Sequence, residues 1–133
     1  MAKILVVDDA PELVDLVVRR LQTAGHRAQG ANNAAEACAF VGDNGAPDLV
    51  VLDVNMPDVD GLELLGLLRE QTGQADLPAI FLSGRVQPED IAAGRALGAT
   101  YLTKPYVGTA LLGKVDAILA AQEAKRRPVD QKW

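Results

Sequence analysis

Cysteine is nearly absent: Cys38 is the only one. A lone cysteine cannot close an internal disulfide, so no covalent framework shapes the fold. It lies in an Ala-rich helical stretch and reads as a packed small residue. Histidine is equally scarce. His26 has no second ligand at metal-binding spacing and reads as a surface residue of a strand. Long apolar runs are missing, and none approaches the ~20 residues of a membrane-spanning helix. No charged-then-apolar leader opens the chain, so the expected location is the cytoplasm, with no membrane partner. Basic charge is in deficit, with 13 Lys and Arg against 18 Asp and Glu, and a net charge of −5. That argues against direct nucleic-acid binding by this domain. No Gly-rich turn follows a strand, which argues against a dinucleotide crevice.

What is present suits one domain: 133 residues, 49% of them hydrophobic. Leu49–Leu52 is a continuous apolar run, the mark of a strand buried on both faces. Asp53 closes it, and the chain breaks at Asn55-Met56-Pro57. Other strands are predicted at Lys3–Val7, His26–Ala31, Pro78–Leu82 and Thr100–Thr103. Between them lie helical patterns. Asp9-x-x-Glu12 with Pro11 opens the first, whose stripe is Leu13, Val14, Val17, Val18 and Leu21. Asn33-x-x-Glu36 opens the second. Asp60-x-x-Glu63 opens the third, Leu62–Gln71. Pro88 starts a fourth, with Gly94 and few large apolar residues, expected to be weakly held. The last buries Leu111, Leu112, Val115, Ile118 and Leu119. Residues 1–121 are expected to form the domain. Residues 122–133 are expected to be a charged tail or the start of a linker, with Pro128 ending any helix. Five β-α units with short connections predict an α/β fold, a parallel five-stranded sheet with helices on both faces. The strand order is not legible from periodicity.

In such a sheet the C-terminal strand ends share one edge, where ligands and chemistry sit. Asp8 and Asp9 follow the first strand, Asp53 ends the third, Ser83 follows the fourth and Lys104 the fifth. Three carboxylates packed together repel, and a divalent cation relieves the repulsion. Mg²⁺ prefers oxygen ligands and needs only one or two carboxylates. Lys104 adds a compact cation, and Ser83 a hydroxyl. Metal, ammonium and hydroxyl together can neutralise a phosphoryl group in transfer, with Asp53 as nucleophile.

These pieces resemble the receiver domains of two-component response regulators. The resemblance rests on I-L-V-V-D-D at Ile4–Asp9 and L-V-V-L-D-V-N-M-P-D-V-D-G at Leu49–Gly61. F-L-S-G at Phe81–Gly84 and Y-L-T-K-P at Tyr101–Pro105 complete it, over residues 3 to 121. It implies a flavodoxin-like, doubly wound sheet of order 2-1-3-4-5. It implies that Asp53 is the phosphoacceptor, that Asp9 ligates Mg²⁺ directly, and that Asp8 holds metal-bound water. Asp53 would also ligate the metal, and Asn55 would offer its backbone carbonyl to it. Lys104 would pair with Asp53 and then with the phosphoryl oxygen. Ser83 and Tyr101 would be the switch pair, Pro105 a frequent cis position, and Asn55 and Arg85 the flanks of the hydrolytic water's path. The expected donor is a histidine kinase or a histidine phosphotransfer protein. The expected target is a downstream protein or fused output domain, reached through the face of the fourth helix, fifth strand and last helix. A phosphorylation-dependent homodimer is a further expected partner.

Two other classes compete. A haloacid dehalogenase-like aspartyl-phosphate hydrolase wants a second acid two residues after its nucleophile, and here that residue is Asn55. A pseudo-receiver, a pure interaction module, typically lacks the acceptor, the metal acid or the lysine, and all three residue types are present. The expected role is signalling rather than turnover of a substrate, with the domain assisting its own phosphorylation and dephosphorylation.

Overall fold

Short aliphatic, β-branched runs become strands because a pleated, doubly covered position suits them. A computed structural model describes residues 2–54, 56, 59–83, 92, 96, 98–103 and 108–130, with the backbone alone for 83, 103, 108, 109 and 123–130. The strands are β1 (Lys3–Val7), β2 (Arg27–Ala31), β3 (Leu49–Asp53), β4 (Ala79–Ser83) and β5 (Thr100–Thr103). The helices are α1 (Pro11–Thr23), α2 (Ala34–Asn44), α3 (Gly61–Thr72) and a C-terminal helix (Gly108–Asp130). Of the helix expected after Pro88, only Ala92 and Ala96 are among the described residues, and both are helical.

All four strand pairings are parallel, in the order β2-β1-β3-β4-β5. Alternation along each strand divides the core in two. Leu5, Val7, Val50, Leu52 and Phe81 face α2 and α3 through Ala37, Val41, Leu64, Leu65 and Leu68. Ile4, Val6, Leu49, Val51, Ile80 and Leu82 face α1 and the C-terminal helix through Val14, Val17, Leu21, Leu111 and Val115. Each fully buried leucine contributes about 1.5–3 kcal/mol relative to exposure. Cys38 is half-buried against the first of these cores, as a packed small residue should be.

β2 has the weakest apolar pattern, Arg-Ala-Gln-Gly-Ala, and it takes an edge of the sheet. Gly30 lets α1 lie close, because a Cβ there would come within 2.3 Å of Val14 Cγ1. Asn33 and Asp60 cap α2 and α3 as their spacing predicts: Glu36 N–H and Glu63 N–H each donate to the cap carboxamide or carboxylate at 2.8 Å. In the last turn of α3, the Arg69 guanidinium donates twice to the Leu77 carbonyl, at 3.2 and 2.9 Å, and ties the helix end to the approach to β4. Burial lowers its pKa from the ordinary value, Asp76 partly offsets this, and the group stays charged.

Two expectations are corrected. His26 is not a surface strand residue; β2 starts at Arg27. Gly25 turns the chain at φ 97°, and the His26 N–H bonds back to the Leu21 carbonyl at 3.0 Å. The ring is thereby carried under the C-terminal helix, with Nε2 3.7 Å from the Asp116 carboxylate and only 12% of the side chain exposed. Pro128 does not end the last helix, which runs to Asp130. The preceding Ala, Gln, Glu, Lys and Arg residues are strong helix formers, and a proline in the final turn disrupts only its own hydrogen bond and its clash partner. Among the described residues, no helix is long and apolar enough to cross a membrane.

Candidate functional site

Strand register decides which polar residues meet. Val7 pairs with Leu52, so the next residues along, Asp8 and Asp53, leave the sheet side by side. On the other flank Asp53 pairs with Leu82, and Ser83 pairs with Thr103. One carboxylate oxygen from each of Asp8, Asp9 and Asp53 falls within 4.8 Å of the others. Asp8 and Asp53 are 3% and 5% exposed, the two buried acids among the described residues, while Asp9 opens to solvent. Carboxylates so deeply buried and so close need compensation. Three hard oxygen donors, with no sulfur or imidazole among them, fit a small divalent cation such as Mg²⁺.

Asp9 does not cap α1, contrary to the capping-box expectation. Pro11 occupies the first helical turn and makes Ala10 the N-cap, with no side-chain cap bond. Proline needs no N–H partner there, so the cap moves one residue past Asp9. Asp8 makes the local bond instead: its Oδ1 accepts from the Ala10 N–H at 3.0 Å. Asp9 is thus the acid that can be removed without loss of a cap. Asp9→Ala in metal-free buffer should therefore raise the melting temperature by about 2–4 °C, through relief of like-charge repulsion. Thermal melts with EDTA check this, and a fall of several degrees would contradict it.

Two residues shape the site that the sequence did not single out for that role. Gly61 opens α3 directly beneath Asp53. Its N–H donates to the Val54 carbonyl at 2.9 Å, and a Cβ would lie 2.3 Å from the Asp53 carbonyl oxygen. The Asp-Gly pair ahead of a helix was the available signal, but a helix start alone does not say what it presses on. Asn32 donates its side-chain amide to the Asp8 carbonyl at 3.3 Å. Nothing in its spacing marks it.

Ser83 ends β4 beside Thr103, as the strand-end argument requires; its side chain is outside the described residues. Tyr101 is half-buried on β5, its ring 5.2 Å from that of Phe81 and tilted by 35°. Lys104, Asn55, Arg85 and Pro105 lie outside the described residues. A cavity of about 280 Å³ lies at the opposite edge of the sheet, lined by Lys3, Arg27, Phe40 and Pro47 among others, and includes none of Asp8, Asp9, Asp53 and Tyr101.

Residues 4–116 match the family model of the response regulator receiver domain. The transcriptional regulatory protein TrcR of Mycobacterium tuberculosis is 36% identical over 130 residues, 97% of this chain and 49% of that protein. The chain spans about half the length of the first curated relatives it matches. Chemotaxis protein CheY4 of Vibrio cholerae superposes with a TM-score of 0.82 at 34% identity, over 89% of this chain and 98% of that one. NtrX of Brucella abortus gives a TM-score of 0.85 at 33% identity, over 98% of this chain and 30% of that one.

Proposed function

The chain belongs to the response regulator receiver family, and on that premise we propose that Asp53 is its phosphoacceptor. The observation that carries this is the meeting of Asp8, Asp9 and Asp53 within 4.8 Å at the C-terminal edge of the sheet. An Asp53 carboxylate oxygen attacks the phosphorus of a phosphohistidine. The P–O bond forms as the P–N bond breaks, and the departing imidazole takes up a proton. Asp9 and Asp53, with the Asn55 carbonyl, would hold Mg²⁺, and Asp8 would hold its bound water. Bound there, the ion supplies positive charge to the phosphoryl oxygens. Lys104 would place its ammonium on one phosphoryl oxygen and Ser83 its hydroxyl on another. Tyr101 would turn with Ser83 as the second half of the switch. The wall formed by β5, the C-terminal helix and the helix after Pro88 would carry the change to a partner.

Receiver domains are signalling proteins, and this one is proposed to promote its own phosphorylation and hydrolysis rather than turn over a substrate. A histidine kinase or histidine phosphotransfer protein is the proposed donor, in the cytoplasm. A downstream protein, a fused output domain or a second phosphorylated copy is the proposed recipient. Residues 1–121 are proposed as the receiver and 122–133 as tail or linker, a division supported by the family match ending at residue 116. A haloacid dehalogenase-like hydrolase is not favoured, since Asn55 stands where its second acid belongs. A pseudo-receiver is not favoured either, since the acceptor and both metal acids meet.

The test uses acetyl phosphate. The intact mass should rise by one phosphoryl group in Mg²⁺ and stay unchanged with EDTA. The added group should leave in mild alkali, as acyl phosphates do. Equal labelling with EDTA would refute the metal-dependent reading.

A further inference from the structure

We propose that Asn32 is a positioning residue for the acid pair: its side-chain amide fixes the Asp8–Asp9 peptide and so sets where the Asp9 carboxylate stands. The inference rests on the reading of Asp9 as a direct Mg²⁺ ligand and of Asp8 as the acid that holds metal-bound water.

Three hydrogen bonds among the described residues tether Asp8. Its N–H donates to the Ala31 carbonyl at 3.2 Å. Its Oδ1 accepts from the Ala10 N–H at 3.0 Å. Its carbonyl accepts from Asn32 Nδ2 at 3.3 Å. The third tether differs in kind. A peptide is planar, so the Asp8 carbonyl and the Asp9 nitrogen and Cα turn together. Holding that carbonyl fixes the direction in which Asp9 leaves β1. Asp9 is exposed and caps no helix, so the orientation of this peptide is a main constraint on its carboxylate.

Asn32 is itself held in place. It is half-buried between β2 and α2, and its backbone N–H donates to Glu36 Oε1 at 2.8 Å. Glu36 in turn donates its N–H to Asn33 Oδ1 at 2.8 Å. The start of α2 is therefore a fixed bracket, and the Asn32 amide reaches from it across the β2 edge to β1. Groups that orient metal ligands without touching the metal typically change affinity by about 10–100-fold. Asn32 acts through one peptide, at the long end of hydrogen-bond range, which points to the lower figure.

Asn32→Ala keeps the backbone N–H that Glu36 holds, so the α2 bracket survives. Mg²⁺ is titrated into the unphosphorylated full chain and followed by amide chemical shifts. The rate of labelling by acetyl phosphate is then measured across the same Mg²⁺ range. In Asn32→Ala both the dissociation constant and the half-saturating Mg²⁺ should rise about tenfold. The labelling rate at saturating Mg²⁺ should stay within about twofold of wild type, because the loss lies in binding. Asn33→Ala removes the α2 cap and is the structural control. It should lower the melting temperature by about 3–5 °C while leaving the Mg²⁺ requirement unchanged. An Asn32→Ala protein with wild-type Mg²⁺ affinity overturns the inference and leaves the phosphoacceptor reading intact. An equal rise in Asn33→Ala also overturns it, since the effect would then be general loosening. A wild type that neither binds Mg²⁺ nor needs it for labelling overturns the functional reading, and this inference with it.

Discussion

Gly61→Ala should melt about 5–10 °C below wild type and accept phosphoryl groups slowly, if at all, since overpacking against a rigid neighbour costs about 1–3 kcal/mol. The new methyl group would lie 2.3 Å from the Asp53 carbonyl oxygen, 3.0 Å from its carbonyl carbon and 3.1 Å from Val54 Cα. All three are backbone atoms at the end of the central strand, so no side chain can swing aside. Either α3 retreats, or the Asp53 peptide moves and takes the carboxylate with it. Gly66, on the same helix, provides the control. It is exposed, and a Cβ there has nothing within 4 Å. Gly66→Ala should stabilise the protein by about 0.5–1 kcal/mol, from helix propensity alone, with no change in labelling. Opposite signs for two glycines of one helix are read directly from thermal melts and acetyl phosphate kinetics. Matching melts for Gly61→Ala and wild type would show that α3 does not press on Asp53.

The strands and the acid cluster were legible because both depend on residue type at a position. Leu49–Asp53 could hardly be anything but a buried strand ending in an acid, and it is buried throughout. The acids and the serine at successive strand ends announced a shared edge before any register was known. Register itself was not legible: Val7 opposite Leu52 is a packing outcome, and it alone makes Asp8 the neighbour of Asp53. Where two local rules competed, the sequence misled. Asp9-x-x-Glu12 satisfied a capping pattern, but Pro11 prevailed and left Asp9 to the cluster. The Gly25 turn places His26, and its neighbour there, Asp116, lies 90 positions away (116 − 26), which no local pattern reports. Asn32 and Gly61 act through backbone carbonyls of other elements, and a sequence carries no trace of which carbonyl a side chain will meet.

One carboxylate, at the end of β3, is proposed to take the phosphoryl group. Asp53 pairs in register with Leu82 of β4 and stands beside Asp8, one residue past the end of β1, with 5% of its surface exposed. Asp53→Asn keeps the shape of the side chain and removes its anionic nucleophile. Its fold should persist, since relieving one of three close negative charges costs the protein little. The decisive measurement is the intact mass of wild type and Asp53→Asn, side by side, after incubation with acetyl phosphate and Mg²⁺. One added phosphoryl group is expected on the wild type and none on Asp53→Asn. Labelling of Asp53→Asn to the same extent and at the same rate as wild type would contradict it.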